Sequence, residues 1–133
     1  MKSAKPRPEQ RSATRRKLWL ALGWLQTLGV TILSLLPLRE LPGPAFSHLD
    51  KLYHVTAYGV LMAWFAWGTP VARRKQLAGW LLVLGIAIEL AQGYVPYRAS
   101  SVADALADAL GIALGAWLVR RPYAGFAAVA GSK

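Results

Sequence analysis

The sequence predicts an all-α membrane protein, a bundle of four transmembrane helices joined by short loops, and three observations carry that expectation. Of the 133 residues, 55% are hydrophobic. Four apolar stretches of bilayer-spanning length can be drawn, at residues 18–36, 52–69, 77–95 and 102–119, and together they take up more than half of the chain. In lipid, only helices or closed barrels satisfy every backbone polar group, so four long apolar segments read as a helical bundle in one domain, with no room for a soluble one. The excess of 16 Lys+Arg over 6 Asp+Glu is a balance that small nucleic-acid binders also show. Its distribution around the apolar stretches argues against nucleic acid as a partner. The absence of cysteine excludes disulfides and thiolate metal sites and leaves the redox compartment undetermined.

Residues 1–17 hold seven Lys/Arg and one Glu with no apolar period, and are expected to form a disordered basic arm that touches anionic lipid. The apolar run 18–36 exceeds the ~7–15-residue core of a signal peptide, so an uncleaved first helix is expected. Its Gly23, Thr27, Thr31 and Ser34 fall on one face, the small-residue type that lets membrane helices approach closely. Pro37, Pro42, Gly43 and Pro44 imply a loop over residues 37–48. Ser47-x-x-Asp50 then reads as a capping box opening the second helix. Lys51, His54 and Tyr58 share one face of that helix, a polar stripe running inward among Val, Ala, Leu, Met, Trp and Phe. Trp64, Trp67 and Trp80 read as interface anchors or packing groups.

Arg73, Arg74 and Lys75 make the next loop basic, and Arg120 and Arg121 follow the fourth apolar stretch. Thirteen of the sixteen Lys/Arg lie in the N-terminal arm, this loop and the tail at 122–133 with its flank, leaving Arg39, Lys51 and Arg98 for the other side. By the positive-inside rule both termini of a membrane domain at residues 18–121 are cytoplasmic. The expected location is the bacterial cytoplasmic (inner) membrane, as a multi-pass protein.

On that topology the polar residues of three helices meet near the outer face. Glu89 and Asp108 each lie seven residues inside their segment from the turn at 96–101, a matching depth of ~10 Å at 1.5 Å per residue. Gly85, Glu89 and Gln92 share a face of the third helix, and Asp104, Asp108, Gly111 and Gly115 share one of the fourth. Gly111-x-x-x-Gly115 is a close-packing pattern that turns the aspartates toward a neighbouring helix. Ser101-x-x-Asp104 is again a capping box, so Asp104 divides between cap and site. An Asp at mid-bilayer costs roughly 2.5–3.5 kcal/mol, so these acids are expected to face inward. Two such carboxylates cannot both stay ionised without cations, so protonation, or pairing with Lys51, Arg98 or protonated His54, is expected.

The pattern Asp50-Lys51-x-x-His54-x-x-x-Tyr58, then Glu89-x-x-Gln92-x-x-x-Pro96-x-Arg98, then Asp104 with Gly111 and Gly115, resembles the VanZ-like family of small bacterial membrane proteins. The resemblance covers about residues 50–118. It implies an integral protein of the bacterial envelope, in a family named for a member linked to resistance to the glycopeptide teicoplanin, without a settled activity. Asp108 stands where that family more often has asparagine, and Tyr97 where glycine often sits.

Three functional readings compete. In the first, Arg98 and Lys51 hold an anionic group of a lipid-linked or cell-wall precursor, or of a glycopeptide-related ligand, while Glu89, His54 and Asp108 orient its polar parts; Asp50, Tyr58, Gln92 and Asp104 complete the ligand-binding set. No cofactor is required. In the second, an enzyme acts on a lipid headgroup, with His54, Glu89 and Asp108 as catalytic candidates or with His54, Glu89, Asp104 and Asp108 binding a divalent metal. No HExxH or GxSxG motif supports it. In the third, the polar groups form a structural network, in one chain or across a homo-oligomer. A transporter would instead need Glu89 to be reachable from both sides.

Overall fold

The computed structural model of the chain describes residues 8–36, 44–94 and 101–120. Among these the chain is all-helical: α1 spans Pro8–Leu35, α2 Pro44–Trp67, α3 Arg74–Gly93 and α4 Val102–Leu118, with a single 3₁₀ turn at Val71–Arg73 leading into α3. The four apolar stretches thus correspond to four helices. Two helical stretches, Ala13–Leu35 and Val71–Gly93, are long and apolar enough to cross a membrane.

Three helix starts differ from the spans expected: α3 begins at Arg74, so Arg74 and Lys75 of the expected basic loop are helical, and the other two differ for one shared reason. α1 begins at Pro8, so the basic segment expected to be irregular is helical from that point through Lys17. α2 begins at Pro44, so Ser47 lies inside the helix and the capping box expected to open it at Ser47 is not its start. Proline breaks a helix interior, yet at the first helical position its missing N–H costs nothing and its fixed φ is already helical.

The core lies along α2. Tyr58, Leu61, Met62 and Ala66 of α2 pack with Leu81, Ile112 and Val119. The closest approach is between α2 and α4, and glycines permit it. A Cβ on Gly111 would collide with the backbone carbonyl of Val55, and one on Gly115 with the carbonyl of Gly59. Membrane-type helices associate through such close backbone contact, because apolar burial alone offers them little drive.

α1 is attached through its small-residue face, as its pattern anticipates. Gly23, Thr27 and Ser34 are buried there, a Cβ on Gly23 would come within 2.7 Å of the Phe65 ring, and the Thr27 hydroxyl turns back to donate to Gly23 O at 2.9 Å. Trp19 stacks flat on Trp64 at 3.7 Å between centroids, and Trp64 Nε1 donates to Trp19 O. Trp67 and Trp80 are exposed. At the far end of α4, the Arg74 guanidinium reaches from the first residue of α3 to the carbonyl of Val119 and, through Nε, to Thr69 O. A cation at the carbonyl end of a helix satisfies orphan acceptors and opposes the helix dipole.

The polarity of the molecule is inverted. Leu22, Trp24, Leu28 and Ile32 of α1, Trp80, Val83 and Leu90 of α3, and Leu106, Leu110 and Leu114 of α4 are exposed, whereas His54, Glu89, Gln92, Asp104 and Asp108 are buried. Water-soluble folds arrange these classes the other way round.

Candidate functional site

The buried polar residues converge where the N-terminal half of α2 meets the C-terminal half of α3 and the start of α4. His54 is at the centre, 3% exposed. Its Nδ1–H donates to Asp108 Oδ1 at 2.8 Å, and its Nε2 lies 4.0 Å from Glu89 Oε1. The two carboxylates expected at matching depth therefore flank one imidazole.

Glu89 has a second role. Its Oε2 accepts the backbone N–H of Ser101, the N-cap of α4, at 3.0 Å. In a capping box that N–H would be taken by the carboxylate three residues on, which here is Asp104. The Ser101 side chain makes no capping hydrogen bond. Ser101 thus holds the N-cap position without the reciprocal box, and a carboxylate from α3 replaces the local one. Asp104 is left to face α2, where its Oδ1 lies 3.4 Å from Lys51 Nζ.

Space for this arrangement comes from α3. A Cβ on Gly85 would stand 2.5 Å from Asp108 Oδ2 and 3.3 Å from Tyr58 Cζ. Glycine at that position is what lets Asp108 and Tyr58 lie against the α3 backbone. Asp108 is 1% exposed and Tyr58 2%.

Four buried polar atoms of the cluster have no hydrogen-bond partner, Tyr58 Oη, Glu89 Oε1, Asp104 Oδ1 and Asp108 Oδ2, and of these Asp104 Oδ1 has the Lys51 ammonium as its ion-pair partner. Each unmet group of this kind costs roughly 1–3 kcal/mol. On the open side the cluster reaches Asp50, half-buried, and the Lys51 side chain, 38% exposed. The nest therefore grades from an accessible mouth at Asp50 and Lys51 to a closed floor at Asp108 and Tyr58.

Of the residues singled out from the sequence, Asp50, Lys51, His54, Tyr58, Glu89, Asp104 and Asp108 gather here. Gln92 is buried nearby, but its Nε2 donates to Ser34 O at 2.7 Å and so ties α3 to α1. Arg98 lies outside the described residues. The metal candidates regroup. One ligand atom from each of Asp50, His54 and Asp104 lies within 4.8 Å of the others. Asp50 joins that group in place of the expected Glu89 and Asp108, because it stands one helical turn before His54 on the same face. Gly111 and Gly115 pack against α2 as their spacing indicated, and Gly59 is the partner that the sequence reading passed over. The signal was present in its being the one glycine of α2.

Comparison with known proteins adds one result. A family model described as VanZ/LLP1 matches residues 3–124. No curated protein and no solved structure matches the chain.

Proposed function

The chain belongs to the VanZ/LLP1 family, and from that premise we propose that it is a four-span protein of the bacterial cytoplasmic membrane whose buried nest receives the polar headgroup of a lipid-linked cell-wall precursor or a glycopeptide-related ligand. Family and apolar helices together make it a membrane protein. The finer topology has both termini in the cytoplasm and the Asp50–Lys51 mouth at the outer face. α2 carries the inward polar stripe, so its mean hydropathy understates the apolarity of its outer surface. α4 is 17 residues long, at the short end of the ~17–25 that span hydrocarbon.

The observation that carries the ligand assignment is the incomplete hydrogen bonding of the floor. A network serving only to fix helix packing has every reason to close on itself, since an open polar group in a low-dielectric interior is costly while a membrane hydrogen bond returns only ~0.6 kcal/mol. Glu89 Oε1 and Asp108 Oδ2 are acceptors that lack donors, and Tyr58 Oη lacks a partner altogether. Hydroxyl and amide N–H groups of a sugar-peptide headgroup supply what is missing.

The test is binding of a lipid-linked disaccharide-peptide precursor to the purified full-length protein in nanodiscs. Wild type is expected to bind saturably, and Glu89→Gln at least tenfold more weakly while keeping its helical content. Absence of saturable binding by wild type, or unchanged affinity in Glu89→Gln, would overturn the assignment.

A further inference from the structure

The nest is acidic, although the chain as a whole carries a net charge of +10. Four of its six carboxylates, Asp50, Glu89, Asp104 and Asp108, surround His54, while Glu9 and Glu40 lie elsewhere in the sequence. Lys51 stands 3.4 Å from one of the four. Such a set is chemically suited to hold a divalent cation.

We infer that the nest binds a divalent first-row metal ion, held by Asp50 and Asp104 carboxylate oxygens and by His54 Nε2, with Glu89 Oε1, outside that triad but 4.0 Å from Nε2, drawn in as a fourth donor. One ligand atom from each of Asp50, His54 and Asp104 already lies within 4.8 Å of the others. His54 is prepared in the way a metal-binding histidine is. Its Nδ1–H is donated to Asp108 at 2.8 Å, which fixes the tautomer and leaves the Nε2 lone pair free.

Glu89 provides an independent sign. Its Oε1 is buried without a hydrogen-bond partner, in a residue only 4% exposed, and lies 4.0 Å from that same Nε2. The separation is too long for a hydrogen bond and only slightly wider than the about 3.3–3.6 Å between neighbouring donors on a tetrahedral ion bound at about 2.0–2.2 Å. Three oxygens and one imidazole, with no thiolate in the chain, suit Zn²⁺ or Mn²⁺. Asp108 is then a positioning residue that acts through His54, and Lys51 is the cation that a metal displaces from Asp104.

The metal site rests on its own donors. Its consequence for headgroup binding rests on the reading given above: with Glu89 Oε1 on the ion, headgroup donors are left for Asp108 Oδ2 and Tyr58 Oη, and the cation lets an acidic site accept the phosphate of a lipid-linked precursor.

The experiment uses untagged full-length protein in detergent, stripped with chelator and titrated with Zn²⁺ or Mn²⁺ alone, with no lipid ligand present. Bound metal is read by elemental analysis after gel filtration, and affinity by calorimetry. One ion per chain is expected. Asp104→Asn and His54→Ala should each bind at least tenfold more weakly, and Asp108→Asn should keep the stoichiometry with a loss of about 10–100-fold. Lys51→Ala should bind severalfold more tightly, because the competing ammonium is gone, and a gain of affinity is something that damage to the fold does not produce. Wild type that retains no ion, undiminished binding in folded His54→Ala, or weaker binding in Lys51→Ala would each overturn the inference. With lipid ligand excluded, these outcomes are independent of whether the precursor binds.

Discussion

His54 between Asp108 and Glu89 is the residue-scale feature with the clearest energetic consequence. Removing the imidazole strands a buried carboxylate, and breaking a buried pair from one side costs about 3–5 kcal/mol. His54→Ala should therefore lower the melting temperature in detergent markedly, as read by helical circular dichroism. Asp108→Asn keeps an acceptor for Nδ1–H and removes the charge, and should stay within about 1 kcal/mol of wild type. Equal losses in the two variants would contradict this pairing. Gly85→Ala places a methyl against Asp108 Oδ2 and the Tyr58 ring, an overpacking that costs about 1–3 kcal/mol. At this scale the sequence conveyed a good deal. Equal distances from one turn put Glu89 and Asp108 level, and helical spacing put His54 on the inward face. The link from Glu89 to the Ser101 N–H was not legible, because it exchanges a local capping partner for one twelve residues away, and residue spacing cannot reveal which of two carboxylates a backbone donor selects.

At the scale of elements, the α2–α4 seam is backbone on backbone. A methyl on Gly111 meets the Val55 carbonyl, which belongs to a helix and cannot rotate aside. Gly111→Ala is expected to destabilise by at least about 1–3 kcal/mol, whereas a Cβ on Gly79 has nothing within 4 Å, so Gly79→Ala should be neutral or slightly stabilising through helix propensity. Thermal melts of the two variants side by side check the contrast. The Gly111-x-x-x-Gly115 spacing gave half of this seam, and Gly59 gave the other half once the helices were docked. The helix starts were harder to read. Pro8 and Pro44 look like breakers within a linear sequence, and only the fold reveals that each stands at the first position of a helix. α1 is joined to the rest by ring stacking, a glycine contact and the Gln92 to Ser34 hydrogen bond. The residue types in this join were visible in the sequence, but the partnership of Gln92 with a main-chain carbonyl of α1 was not.

For the molecule as a whole, the placing of apolar groups outside and of Glu89, Asp104 and Asp108 inside was foreseeable from the hydropathy pattern, since carboxylates spaced along apolar helices have nowhere else to go. Sidedness rests on the distribution of Lys and Arg and can be measured directly, because the chain contains no cysteine. In intact cells, a membrane-impermeant thiol reagent should label Tyr94→Cys, and should reach Arg73→Cys or Arg120→Cys only after the membrane is opened. The reverse pattern would invert the proposed orientation. The Arg74 bridge to Val119 adds a mechanical consequence. α2 and α4 are locked together along their glycines, and α3 is clasped to α4 at the end farthest from the mouth. Near the mouth the same two helices share the bond from the Ser101 N–H to Glu89 Oε2, and Gln92 ties α3 to Ser34 of α1. A guest that claims Glu89 would thereby take from α4 the acceptor of its N-cap N–H.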